Sequence, residues 1–422
     1  MFWKGITTKS ATTFQHVPAW SAPPASLWAE RDSNVAPPIA VLGIPFDQVT
    51  LNNAVDQIQT MIESREPHYV VTPNVDFLVQ AITDAELRRI LVEAHLVVCD
   101  GMPIVWASRW LGNPLPERVA GADLVPELIR VAAERRQRLF FLGATAEANN
   151  TAVDNVRQRF PGAIIAGHYS PPFRPLDPID QAEIIQRVRA ARPDLLFVAF
   201  GCPKAEKWIS SAYRELEVPV VIGVGATIDF LAGRVKRAPV WAQRSGVEWL
   251  YRLCQEPRRL FWRYTRDLRH FTWELAKQLR LMGSPQRFLK EKKTTKIEAR
   301  LHEAWTQVRA DQSSWECVEA PCRLDVTTVR DGDQLWQGTP SKHCVLGLNE
   351  VRYIDSTGVA LLLRLQTRFR AAQKQFVLLS PHRCVEQALR ELRVWDLFMI
   401  VGTGTSNPAA DAQPPSLHRK AV

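Results

Sequence analysis

Four short segments combine polar side chains with glycine or proline: Thr72-Pro73-Asn74-Val75-Asp76, Cys99-Asp100-Gly101-Met102-Pro103, Gly201-Cys202-Pro203-Lys204-Ala205-Glu206-Lys207, and the GVGATIDFLAG run from Gly223 to Gly233. A carboxylate such as Asp100 can take a proton from a reacting hydroxyl. Gly223 and Gly225 let backbone amides approach a phosphate near a helix start, although neither a complete GxGxxG nor a Walker sequence is present. Each segment also has a plainer reading on its own. Asp100-Gly101 can be a turn, Thr72-Pro73-Asn74 a helix cap, and the glycine pair a tight bend. Chemistry is favoured by their shared position, because all four directly follow an apolar run that reads as a strand.

Those strands alternate with helices. From Ile39 the pattern runs IAVLGI, an amphipathic stretch over 51–64, HYVVTPN, a helix, and LVVCDG. LFFLG, AIIAG, LLFVAFG and VPVVIGVG follow, separated by helical stretches near 122–135, 146–160, 179–191 and 204–216. Short apolar strands alternating with helices predict an α/β fold, a Rossmann-like parallel sheet with helices on both faces. Ligands of such sheets bind beyond the carboxyl ends of the strands, where the four segments fall. The expected organisation is a disordered leader over 1–37, an α/β domain over 38–233, a basic helical appendage over 234–283 and a linker over 284–312. A second small α/β domain over 313–402 and a disordered tail over 403–422 complete it.

A chain of 422 residues is too long for a single small binding module. With 46% hydrophobic and 23% charged residues, wholesale disorder and fibrous architectures are excluded. Seven cysteines without a CxxC pair, and no His cluster at zinc spacing, fit a reducing compartment. No run of 18 uncharged apolar residues occurs, and the first twenty residues lack a secretory pattern, so a cytoplasmic location is expected. Residues 234–300 hold 18 Lys plus Arg against 6 Asp plus Glu, twelve net positive charges in a chain whose total is +9. The basicity therefore belongs to the appendage.

The segments TPNVDFL, VVCDGMPIVWASRWLG, ERVAGADL, FVAFGCPKAEKW, GVGATIDFLAGRVKRAP and GVEWLYRLCQEPRRLFWRY, in this order, resemble the successive motifs of the WecG/TagA/CpsF glycosyltransferases. That family transfers an N-acetylmannosamine-type sugar from a UDP donor to a polyprenyl diphosphate-linked acceptor. The resemblance implies that Asp100 is the general base and that Thr72 and Asn74 hold the donor sugar or diphosphate. It implies substrate-binding roles for Gly201, Lys204, Glu206, Gly223, Gly225 and Asp229, the last toward the uridine, and for Arg237, Arg252, Arg259 and Arg263. The only DxD sequence is Asp331-Gly332-Asp333, far from these segments. Metal-independent, inverting transfer is therefore expected, with arginines neutralising the diphosphate, no metal and no other cofactor.

Arg, Trp and Tyr interleaved in the appendage have three readings: an anionic membrane surface, ordinary packing, or nucleic acid. No nucleic-acid-binding motif is recognisable and nucleic acid is not expected as a partner, whereas amphipathic basic-aromatic helices suit the headgroup layer. The protein is thus expected to be peripheral on the inner face of the cytoplasmic membrane. Near the C-terminus, VLGLNEVRYIDSTGVALLLRLQTRF followed by FVLLS resembles the STAS domains of anti-sigma factor antagonists. The resemblance implies that Ser356 is a candidate for regulatory phosphorylation and that the domain has a protein partner; the plainer reading is a helix cap. The function expected is transfer in surface polysaccharide synthesis with a regulatory STAS-like domain. The alternative is a catalytically degenerate scaffold that binds nucleotide sugar or membrane and signals through that domain.

Overall fold

The computed structural model describes residues 36–402 apart from 173, 175–176, 236, 240–241, 243–247, 256, 283–313 and 332–339. All but the last two residues of the expected leader, the whole of the expected linker and the expected tail lie outside the described residues.

The first half is built from β1 (Ile39–Val41), β2 (Ile44–Phe46), α1 (Leu51–Ser64), β3 (His68–Val71), α2 (Val75–Thr83), α3 (Ala85–Glu93), β4 (Leu96–Val97), α4 (Met102–Trp110) and α5 (Gly121–Glu134). It continues with β5 (Arg138–Gly143), α6 (Ala146–Arg159), β6 (Ile164–Tyr169), α7 (Pro178–Ala191), β7 (Leu195–Ala199), α8 (Lys204–Ala212), β8 (Val220–Gly223) and α9 (Thr227–Leu231). Strands β3 to β8 form one parallel sheet in the order β4-β3-β8-β7-β5-β6. Because side chains alternate across a strand, each strand feeds two cores. Leu139 and Phe141 of β5 and Leu195 and Phe197 of β7 pack on one face with α1, α5 and α6. Phe140, Leu142, Leu196 and Val198 pack on the other. Continuous apolar strands were expected for this reason, since both faces are covered.

IAVLGI is not a strand of that sheet. It folds back on itself as the antiparallel pair β1–β2, with Leu42 and Gly43 in the left-handed region at φ 50° and 81°. A Cβ on Gly43 would lie 2.5 Å from the carbonyl oxygen of Leu392, so this turn accepts only glycine while the C-terminal domain is seated on it.

The appendage consists of α10 (Glu248–Gln255) and the 26-residue α11 (Pro257–Met282), with Pro257 at the start of the second, where its missing N–H costs nothing. The second domain comprises β9 (Trp315–Glu319), β10 (Arg323–Leu324), α12 (Val326–Asp331), β11 (His343–Gly347), β12 (Tyr353–Ile354), α13 (Ser356–Ala371), β13 (Phe376–Leu379), α14 (Arg383–Glu391) and β14 (Met399–Val401). Its four-stranded parallel sheet has the order β14-β13-β11-β9. One apolar core runs from Tyr69 and Leu91 beneath the first sheet, through Ile39 and Phe46 of the hairpin, to Val359 and Leu363 of α13. The hairpin thus joins the two domains rather than extending either sheet.

Candidate functional site

Strands β3 and β8 are neighbours, yet β3 passes the chain outward to β4 whereas β8 is reached from β7 on the opposite side. The segments that follow them therefore lie side by side at the carboxyl edge of the sheet, where ligands of open parallel sheets bind in a crevice. Thr72, just past β3 and buried, donates its hydroxyl hydrogen bond to the carbonyl of Gly223 at 3.3 Å across that gap. Asn74 caps α2, accepting from the backbone N–H of Asp76 at 3.0 Å and of Phe77 at 3.4 Å. The plain reading of Asn74 as a cap therefore holds for its carbonyl oxygen. Asp100 follows β4, and its N–H donates to the Pro73 carbonyl at 3.1 Å, which ties the two catalytic candidates' loops together by main chain. Gly101 abuts Asn74, a Cβ there falling 3.8 Å from the Asn74 Cα and Cβ. Thr72, Asn74 and Asp100 are thus brought to one place.

The Asp100 side chain keeps 29% of its surface exposed, so the carboxylate can meet a substrate. Arg118 lies beside it, with Nη1 3.9 Å away. Arg118 also binds Asp123 at 3.1 Å and Glu248 at 3.0 Å. Arg237 closes the same network through Asp123 at 2.5 Å and Glu248 at 3.5 Å, and donates to the Ala122 carbonyl at 3.1 Å. Glu248 is the first residue of α10, so this cluster fastens the appendage to the rim of the crevice. Arg237, expected as a substrate ligand, is here engaged by protein carboxylates. Arg118 escaped notice as a site residue although it lies inside ERVAGADL; its neighbours come from segments distant in sequence, so spacing gave no signal.

At the next strands, Gly201 and Gly225 are exposed and take φ of 77° and 51°, a left-handed conformation that glycine adopts without strain, whereas Gly223 of the expected glycine pair does not take a positive φ. Asp229 sits half-exposed in the first turn of α9. Lys204 donates to the Arg174 carbonyl at 3.0 Å and lies over the Phe200 ring. Glu206 is buried behind the strand end: a Cβ on Gly223 would stand 3.0 Å from its Oε1. Its Oε2 has no hydrogen-bond partner among the described residues. Desolvation pushes its carboxyl up to about 7, so near neutrality it is substantially protonated. Glu206 therefore supports the floor of the crevice rather than presenting a charge to it. Cys99 is likewise a buried strand-end residue, its thiol pushed up to about 12 by burial.

Helix α11 runs beside α2, which brings Arg266 to 3.8 Å from Asp76 of the Thr72–Asp76 segment. Arg263 is half-buried over the Tyr264 ring. The side chains of Arg252 and Arg259 lie outside the described residues. Phe261, Trp262, Leu268 and Trp273 are 50%, 74%, 50% and 65% exposed; at 3.6 residues per turn Trp262 and Trp273 fall on the side of α11 opposite buried Leu260, Asp267, Phe271 and Gln278, with Phe261 and Leu268 on the flank between. Arg258 and Arg269 share this outward side. Among the described residues no helix is long and apolar enough to cross a membrane.

Residues 39–284 match the glycosyl transferase WecG/TagA/CpsF family. The chain belongs to this family. Residues 293–406 match the STAS domain, so the chain is a glycosyltransferase carrying a STAS domain. It is similar to the N-acetylglucosaminyldiphosphoundecaprenol N-acetyl-beta-D-mannosaminyltransferases of Staphylococcus aureus strains MW2, MRSA252 and NCTC 8325, at 31% identity over 233 residues, 55% of this chain and 89% of each relative. The relatives' names carry a polyprenyl diphosphate-linked acceptor, in keeping with the family's motifs at the crevice.

In the STAS domain the DSTG sequence begins α13. Asp355 is the cap, accepting from the N–H of Thr357 at 2.8 Å and of Gly358 at 2.9 Å. Ser356 is fully buried against α11: its hydroxyl accepts from Gln278 Nε2 at 2.9 Å and donates to the Met282 sulfur at 2.9 Å. The expected phosphoacceptor is therefore enclosed between the two domains, and a kinase reaches it only when α11 and α13 separate.

Proposed function

We propose that the protein transfers an N-acetylmannosamine-type sugar from a UDP-sugar to a polyprenyl diphosphate-linked acceptor by single, inverting displacement in surface polysaccharide synthesis. The observation that carries this reading is a half-exposed Asp100 at the mouth of the β3/β8 crevice, with its loop fixed to that of Thr72 and Asn74. In the reaction the acceptor hydroxyl oxygen bonds to the anomeric carbon as its proton passes to the Asp100 carboxylate. The bond from that carbon to the UDP oxygen breaks, and the diphosphate leaves with both electrons. Its charge is met by the arginines of the appendage, Arg252, Arg259 and Arg263, so no metal is assigned to the step. The outward Trp and Phe side chains with Arg258 and Arg269 suit an anionic membrane surface, where a lipid-linked acceptor resides. Ser356 is kept as the regulatory phosphoacceptor, its modification requiring an opened domain contact.

Initial rates with a panel of UDP-sugars, a short-chain polyprenyl diphosphate-GlcNAc acceptor and EDTA test this. Asp100→Asn is expected to lower turnover by about 10² to 10⁴ with donor affinity retained. Equal turnover in the variant would remove Asp100 from the role of base, and activity abolished by EDTA would remove metal independence.

A further inference from the structure

The segment from Ala94 to Asn113 carries Asp100 at its centre, and the STAS domain grips it at both ends. Before Asp100, Arg364 of α13 donates through Nη1 to the Ala94 carbonyl at 2.8 Å and through Nη2 to Asp47 Oδ2 at 2.6 Å. The same carboxylate oxygen accepts from the N–H of Val97 at 2.8 Å, and the Asp47 N–H donates to the Val97 carbonyl at 3.0 Å. Asp47 thus acts as a partner strand for β4, and Arg364 is its counter-ion. Both are almost fully enclosed, with side chains 8% and 3% exposed. After Asp100, the Asn113 amide donates to Thr357 Oγ1 at 2.9 Å, again on α13 and again buried.

We propose that the STAS domain is part of the transferase's catalytic apparatus, with Arg364 a positioning residue that holds the Asp100 segment through Asp47 and Ala94 while Thr357 holds its far end. The inference rests on Asp100 acting as the base. Three features make this contact more than a tether. It is polar and directional where an apolar tether would suffice. It is applied to the two flanks of the reacting group. The curated relatives, 89% of whose length is covered by a 233-residue match, are too short to hold both a transferase part of this size and a STAS domain. In this chain, the position of the base is therefore made conditional on a docked second domain. Ser356, one residue from Thr357 and sealed by Gln278 and Met282, lies at the seam that must open for release.

The test uses the full chain. Asp47→Asn with Arg364→Met removes both charges together, so that no lone buried ion is left to unfold the protein. Arg364→Lys keeps the cation, and Gly43→Val separates the hairpin from Leu392 without altering any charge. Turnover and donor KM are measured alongside hydrogen exchange of residues 94–113. The expected result for the double variant and for Gly43→Val is turnover lower by about tenfold or more, because sub-ångström displacement of a reacting group has costs of that order. Donor KM should stay within about twofold, since the donor is bound by β3 and β8 rather than by α13. Exchange over 94–113 should rise, and Arg364→Lys should recover most of the turnover. Unchanged exchange over 94–113 in a folded double variant overturns the proposal, as does unchanged turnover. If wild type transfers no sugar, the functional reading fails separately, and the exchange measurement still decides whether the STAS domain holds the segment.

Discussion

Glu206→Gln probes the floor of the crevice through its pH dependence. The carboxyl is buried beside Gly223 and is pushed up to about 7 by desolvation, against an ordinary 4.5. The folded state therefore holds its proton where the unfolded chain has released it. For an acid shifted upward, this stabilising contribution is complete below pH 4.5 and is lost progressively as pH rises toward 7, because there the unfolded state binds fewer protons. The difference corresponds to about 3 kcal/mol at most. Glutamine keeps the shape and is neutral at every pH, so Glu206→Gln should show no such loss. Urea unfolding at pH 5, 6, 7 and 8 should give variant and wild type similar stabilities at pH 5, and a variant more stable by about 1 to 3 kcal/mol at pH 8. The linkage has a functional counterpart: above pH 7 the wild type carries an anion behind the strand end proposed to receive the donor diphosphate, so its donor KM should rise with pH while that of Glu206→Gln stays flat. If the two proteins lose stability in parallel between pH 5 and 8, Glu206 is ionised in the fold and the reasoning from its burial is wrong.

His68, buried on β3 with Nδ1 3.2 Å from the Pro219 carbonyl, titrates near 4 because burial disfavours its cation. Its contribution is complete above pH 6.5 and lost as pH falls toward 4, so His68→Gln should flatten the acid limb of a thermal-unfolding profile relative to wild type. On α11, replacing Trp262 and Trp273 together with alanine should weaken binding to anionic liposomes at least tenfold, as each buried indole contributes on the order of 1 to 2 kcal/mol. Cosedimentation unchanged by that pair would show that the outward face of α11 does not meet the bilayer.

Much of the layout of the first sheet's carboxyl edge was legible from local pattern. The amphipathic run over 51–64 is α1 to the residue, and the helix start read at DSTG is that of α13, with Asp355 rather than Ser356 as its cap. All four polar segments do follow strands, and three of their loops meet through the Asp100–Pro73 and Thr72–Gly223 hydrogen bonds. The physical reason is that strand and helix periodicity are set by residues a few positions apart, and the ends of parallel strands must share one edge once the sheet order is given.

What the tertiary structure alone decided concerns which surfaces cover one another. An apolar hexapeptide such as IAVLGI is equally satisfied as a sheet strand or as a hairpin under another domain, because hydrophobic burial is non-directional. Only the fold puts it beneath α13. Arg118 gained its meaning from Asp100, Asp123 and Glu248, and Ser356 lost its exposure to Gln278 and Met282 on a helix more than seventy residues away. The Arg364–Asp47 pair joins residues 317 positions apart. Residue types announce that a charge or hydroxyl needs a partner, since leaving it buried alone is costly. They do not say which partner, and that choice binds the STAS domain to the segment that carries Asp100.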